Sequence, residues 1–276
     1  MKFNYFTIAA LPDLTWESPL PFTTIEMLEE YKVQFEPLKD GISDILLLND
    51  VKNLELILRQ RTEKVDEKYK ANMMDGTVEF YKARFVEPEE LEAFINDPFM
   101  NRPADTYPEF MVDYFERYKT DDDRFSHIEE LYIAYFGYMQ SREDGFLRYY
   151  GRIASVMRTA LSAARILHMG KDLETYLKGD SYIVQTILEN KTSSDFGLHN
   201  IFPEIGEVMA LLDKEPKELE HDLDRIRFEL MKQVGQETPF ADHIIYAYII
   251  GLQVRNRWNT LDKARGELIL DNIITG

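Results

Sequence analysis

The stretch that decides the fold is DGFLRYYGRIASVMRTALSAARILHM, Asp144–Met169. Leu147, Tyr150, Ala154, Met157, Leu161 and His168 recur near one stripe at helical spacing. Gly151, Ser155, Ala160, Ser162, Ala163 and Ala164 are small enough to let neighbouring backbones approach closely. This reads as one long helix, the central packing element of an all-α chain.

Toward the C-terminus, short-linked helices are expected over 180–189, 203–212, 216–234, 239–257 and 261–274, with Pro203, Pro216 and Pro239 at their edges. Ile244, Ile245, Tyr248, Ile249 and Leu252 make the fourth of these apolar nearly all round, so it should be the most buried. Toward the N-terminus, helices over 107–119 and 125–141 flank Asp121–Asp123, which reads as a solvated acidic turn. Pro88 opens a short helix to Asn96, and the prolines from Pro98 to Pro108 impose a connector, since each lacks an amide donor and restricts its predecessor. Residues 62–80 are polar and read as a loop or a poorly packed helix. A helix over 40–60 should break at Asn49-Asp50, and one over 24–35 should start at the capping box formed by Thr23 and Glu26. The first twenty residues, with Pro12 and Pro19, read as extended or irregular. Together these segments predict a multi-lobed helical bundle: a lobe over 1–120, and a lobe over 121–276 built on the long helix. No Gly/Ser/Pro tether separates them, so packed lobes are expected.

Composition narrows the function classes. The 276 residues are 45% hydrophobic and 30% charged, a globular balance. The apolar run Ile244–Leu252 is about half the roughly 20 residues needed to span a bilayer. A formal net charge of −18 opposes binding to phosphate backbones, so nucleic acid is not an expected partner. No cysteine is present, which removes thiol chemistry. No basic leader precedes an apolar stretch, and a cytoplasmic location is expected.

Catalytic signatures are weak. There is no G-x-x-x-x-G-K-[ST] loop, no G-x-G-x-x-G and no G-x-S-x-G elbow. A di-iron bundle needs two Glu-x-x-His pairs. The chain offers Glu218 with His221, beside Glu220, Asp222 and Asp224, a face better read as solvated surface. His127, His168, His199 and His243 lack partners at ligand spacing. Asp121–Asp123 suggest carboxylate-held magnesium at a diphosphate, but D-D-x-x-D fails at Phe125 and Ser126, and Asn49-Asp50 fails with Asn53 and Ile57. Arg148, Arg152, Arg158 and Arg165, beside Tyr149 and Tyr150, read as snorkelling or paired cations, and as the best candidates for charged pairs between lobes. No catalytic, cofactor-binding or metal residue is assigned, no cofactor is expected, and an interaction protein is favoured over an enzyme.

A succession of short motifs carries a resemblance. It comprises Asp195-Phe196-Gly197-Leu198, Pro203, Leu223-Asp224 with Arg227, His243 to Tyr248 with Gly251-Leu252-Gln253, and Arg257-Trp258 with Leu261-Asp262 and Gly266. Tyr5-Phe6 with Ala9 to Leu14, and Leu48-Asn49-Asp50 with Asn53-Leu54, join it. In order and spacing the chain resembles a bacterial family encoded beside V-type ATPase genes and thought to stand in for the C-type (also called d-type) component of that machine. The resemblance implies a funnel of three related helical bundles on the cytoplasmic face of the membrane rotor ring. Such a protein is a non-catalytic socket for the central shaft, which is built from the D-type and F-type components, and is peripheral at the inner membrane. The alternatives are an all-helical magnesium-dependent enzyme acting on a diphosphate, and a generic cytoplasmic adaptor.

Overall fold

The computed structural model of the protein describes residues 5–65, 67, 81–83, 86–103, 107–179, 181–237 and 241–258. For Tyr5, Ser181, Pro216 and 235–237 it describes the backbone alone. Every regular element among these residues is helical: α1 (Tyr5–Ala10), α2 (Thr24–Glu30), α3 (Lys32–Phe35), a 3₁₀ turn (Glu36–Leu38), α4 (Lys39–Arg61), α5 (Pro88–Asn96), α6 (Glu109–Arg117), α7 (Asp121–Ser126), α8 (Ile128–Ser141), α9 (Gly145–His168), α10 (Leu173–Tyr176), α11 (Ser181–Glu189), α12 (Ile205–Ala210), α13 (Pro216–Glu237) and α14 (243–258). The all-α class follows. Of the sequence expectations, 261–274 and most of 62–80 lie outside the described residues.

Local chemistry sets many of the boundaries. Thr23 and Glu26 form a full capping box: Thr23 Oγ1 accepts the Glu26 amide at 3.2 Å and Glu26 Oε2 accepts the Thr23 amide at 2.7 Å. Asp144 caps α9 by accepting the Phe146 and Leu147 amides at 2.8 and 3.0 Å. At its other end α9 closes in a Schellman motif. Gly170, at φ 66°, donates to Leu167 and Lys171 donates to Ile166, which occupies two carbonyls left orphaned by the helix end.

Four expectations need correction. Residues 5–10 are helical rather than irregular. The helix over 24–35 is interrupted at Tyr31, where the backbone leaves the helical region, and Pro37 then admits only a 3₁₀ turn before α4. Asn49-Asp50 does not break α4, which runs unbroken from Lys39 to Arg61. Asp121–Asp123 are not a turn but the first turn of α7, capped by Thr120 and placed where carboxylates favour the positive end of the helix.

Contacts group the chain into two units, Met1–Ile45 with Lys214–Gly276, and Leu46–Asp213; the 120/121 boundary read from sequence falls inside the second. The first unit buries Leu14, Trp16, Met27, Phe35 and Ile42 with Leu223, Phe228 and Met231 of α13 and Ile245, Ile249 and Leu252 of α14. Gly41 is required there, because any Cβ would run into the ring and hydroxyl of Tyr246. The second unit is built on the α8–α9 pair. Gly151 lets α9 approach α8 closely: a Cβ at that position would lie 2.7 Å from Met139 Cβ and 3.0 Å from the Phe136 carbonyl oxygen. Phe94, Tyr107 and Phe115 add an edge-to-face aromatic cluster, with centroids 5.2–5.3 Å apart. Among the described residues no helix is long and apolar enough to cross a membrane.

Candidate functional site

The most concentrated polar site of the first unit centres on Asp224 of α13, which is 3% exposed. The i,i+3 spacing puts Arg227 beside it, and Arg227 Nη1 donates to Oδ1 at 2.6 Å. From α14, Arg257 Nη1 and Trp258 Nε1 donate to Oδ2 at 2.8 and 3.0 Å. The other arm of Arg257 pairs with Glu220. Trp258 and Trp16 both meet His221 edge-to-face, with centroids 5.0 and 5.2 Å from it, and Trp16 also meets Phe228 at 5.5 Å. The Arg255 guanidinium lies 5.3 Å from the Trp16 ring centroid and donates to the Ser18 carbonyl at 2.8 Å. Tyr248 Oη donates to the Pro12 carbonyl at 3.0 Å, with its hydroxyl pushed up to about 12, mainly by burial. Of the α13 face read as solvated from sequence, Glu218 and Glu220 are exposed, but Asp224 is not. Its carboxylate is a buried joint between two helices, in which the charge is met by paired cations and a neutral donor.

Glu218 is exposed, while His221 is half-buried between the indoles. Asp222 takes Lys214 and His221, and the Lys214 ammonium holds its carboxyl below the usual range. Among the described residues no group of three or more His, Asp or Glu side chains is arranged to hold a metal ion.

In the second unit, Asn49, Asp50 and Asn53 are 3%, 0% and 0% exposed, respectively. They serve as hydrogen-bond partners for the backbone of Tyr81, Ala83 and Val86. Asn49 Nδ2 donates to the Ala83 carbonyl at 2.6 Å, Asn53 exchanges two bonds with Tyr81 at 2.8 and 3.1 Å, and the Val86 amide donates to Asp50 at 3.3 Å. Two amide side chains and one carboxylate thus satisfy backbone groups of three residues that lie outside any helix.

Asp121–Asp123 take separate protein donors. Asp121 pairs with Arg124 at 2.9 Å, Asp122 accepts the Thr62 hydroxyl and the Glu63 amide, and Asp123 Oδ2 accepts the Thr120 hydroxyl at 2.9 Å. Arg158 makes a two-pronged bond to Glu129, both distances 2.7 Å, with its guanidinium 3.7 Å from the Tyr132 ring centroid. Tyr132 donates to Glu55 at 2.6 Å, and burial pushes its hydroxyl well above the usual range. Arg148 donates to the Arg142 and Glu143 carbonyls and Arg152 to the Ile201 carbonyl, while Arg165 is exposed. The Arg158–Glu129 pair lies within one expected lobe, not between lobes. His127 stacks on Tyr118 at 4.3 Å, His168 and His199 are exposed, and His243 is half-buried. At 196–197 the chain turns through two left-handed residues, φ 53° and 70°. Asp195 holds this turn by accepting the Ser193 hydroxyl and the Gly197 amide.

Sequence reasoning missed the Trp16–His221–Trp258 cluster and the α4 joint. The only local signals were the i,i+3 pair Asp224/Arg227 and the three polar residues Asn49, Asp50 and Asn53, which fall on one side of α4 between the apolar runs 45–48 and 54–58 apart from Glu55.

The fold and these clusters define an all-α protein whose motif carboxylates join helices and loops. The chain belongs to the family described as Protein of unknown function (DUF2764), whose model matches residues 1–276. It is similar to a Chlamydia muridarum protein, 27% identical over 168 residues, covering 59% of this chain and 63% of the relative. A Chlamydia trachomatis serovar D protein is 26% identical over the same extent. Both are described as uncharacterized, and the chain spans less than two thirds of their length. No solved structure matches.

Proposed function

We propose that this chain is a non-catalytic central-rotor component of a V-type ATPase or ATP synthase, a socket that joins the shaft of D-type and F-type components to the membrane rotor ring. The order and spacing of the short motifs support this reading. The observation that carries it furthest is the use those motifs are put to: Asn49, Asp50 and Asn53, Asp195 and Gly197, and Asp224 with Arg227, Arg257 and Trp258 are all spent on joints inside the protein. The Asp224 joint resists shear between α13 and α14, and the other bonds stiffen a helix against neighbouring chain and a tight turn, which suits a part that passes torque. A net charge of −18 would orient a basic shaft tip.

The test is purification of the intact ATPase from a cell that encodes this chain. The polypeptide should co-purify at one copy per rotor, and purified shaft proteins should bind it with an affinity that falls as salt rises. An intact, active complex lacking the chain would reject the assignment and leave the adaptor reading. Saturable uptake of magnesium with a diphosphate, abolished by Asp122→Ala, would instead favour the enzyme.

A further inference from the structure

The turn after α5 is fixed from several sides. Asp97 Oδ1 accepts the Phe99 and Met100 amides at 3.2 and 3.0 Å, and the Asn101 amide returns to the Asp97 carbonyl at 3.0 Å. Asn101 Nδ2 reaches back to the Ala93 carbonyl at 3.1 Å, so the turn folds against the last turn of α5. Held this way, Phe99 and Met100 are 68% and 81% exposed. Two adjacent large apolar side chains on a closed turn lose little conformational freedom on meeting a partner, and each would gain by leaving water.

The surroundings define that partner. α5 buries Leu91, Phe94 and Ile95 and turns Glu89, Glu90 and Glu92 outward, with Asp97 also exposed. Arg61 reaches Glu92 at 3.6 Å, and Arg102 is committed to Glu109 and the Tyr107 carbonyl. Glu89 and Glu92, three residues apart, repeat at about one helical turn, the same repeat that Lys or Arg at i,i+3 presents on another helix. The corner at Leu167, Met169 and Tyr176 is also exposed and apolar, but it mixes Arg165 and Lys171 with Asp172 and Glu174, so its charge selects no partner.

We propose that the Phe99–Met100 turn and the Glu89/Glu90/Glu92 face of α5 form one docking surface for a basic amphipathic helix of another protein. The apolar face of that helix would cover Phe99 and Met100, and its cations would lie along the carboxylates. The inference goes beyond the rotor assignment and does not depend on which machine the chain serves.

The experiment titrates the full chain with a labelled 18-residue amphipathic Leu–Lys peptide and, in parallel, with a Leu–Glu peptide of the same pattern. Phe99→Ser/Met100→Ser and Glu89→Gln/Glu90→Gln/Glu92→Gln should each weaken Leu–Lys binding by about tenfold, and the second should also flatten its salt dependence. A control removing three exposed carboxylates elsewhere, Glu174→Gln/Glu207→Gln/Asp213→Asn, should change it less than about twofold. All the altered side chains are exposed and Asp97 stays intact, so the turn remains closed, and thermal unfolding of each variant verifies it. Equal weakening by the control triple would reduce the effect to the overall charge and overturn the proposal. So would an unaffected serine variant, equal binding of Leu–Glu, serine-sensitive binding to phosphatidylcholine vesicles without peptide binding, or a self-associated form lost on the serine substitutions.

Discussion

The indole N–H of Trp258 donates to the buried carboxylate of Asp224 at 3.0 Å, across 34 residues of chain. The same carboxylate is held by Arg227 and Arg257, so α13 and α14 are joined at one charged point rather than by apolar packing alone.

Removing that point takes an acceptor from two guanidinium groups and an indole, although Arg257 keeps Glu220. Breaking a fully buried pair costs about 3–5 kcal/mol. Here the arginine side chains are 30–40% exposed and regain water, so Asp224→Ala should cost about 2–3 kcal/mol. Trp258→Phe, which loses one neutral donor and keeps the ion pairs, should cost about 1 kcal/mol. Urea denaturation of both variants checks the ranking, and equal losses would mean the ion pairs contribute nothing.

Two glycines in the α8–α9 pair should respond in opposite directions to the same substitution. At Gly151 an added methyl meets Met139, the Phe136 carbonyl and the Gln140 amide, so Gly151→Ala should destabilise by about 1–3 kcal/mol. At Gly137 nothing lies within 4 Å, and Gly137→Ala in mid-helix should stabilise by about 0.5–1 kcal/mol. Thermal denaturation reads both.

The Arg158–Glu129 fork over Tyr132 should discriminate shape as well as charge. Arg158→Lys keeps the cation but loses the second prong and the flat face on the ring, and should cost about 1 kcal/mol. An unchanged midpoint in denaturant would show the fork to be idle.

Alkali should unfold the protein before its buried tyrosines ionise. Burial raises the Tyr107 and Tyr132 hydroxyls above their ordinary 10.0. A group raised in the folded state contributes stability that is present below its unfolded value and lost as pH rises through the folded one. Absorbance of tyrosinate at these two sites should therefore appear only with loss of helical signal. Tyr107→Phe and Tyr132→Phe identify their share of the step.

Acid acts with the opposite sign at Asp195, whose carboxyl is held below its ordinary 3.8, first by the Ser193 hydroxyl and then by the Gly197 amide. Its contribution is present above 3.8 and lost as pH falls through the lower folded value. The stability gap between the wild type and Asp195→Ala should be wider at neutral pH than at pH of about 2.5. A gap that stays constant would assign the effect to the turn alone.

The helical class, the long helix after Asp144, the capping box at Thr23 and Glu26, and the start of α5 at Pro88 were all legible in the chain. Those features rest on hydrogen bonds and steric rules that act within four residues, so their cause and effect lie in one short stretch. What the polar residues inside the helices bond to emerges only when distant parts of the chain meet. Asn49, Asp50 and Asn53 look like a helix break because an amide or carboxylate favours turns when its partner is its own backbone. Their actual partners lie 28 to 36 residues away, and burial beside those partners reverses the preference. Asp224 follows the same rule: with a charged helix face in view it reads as solvated, and what makes it a joint is the arrival of Arg257 and Trp258 from another helix.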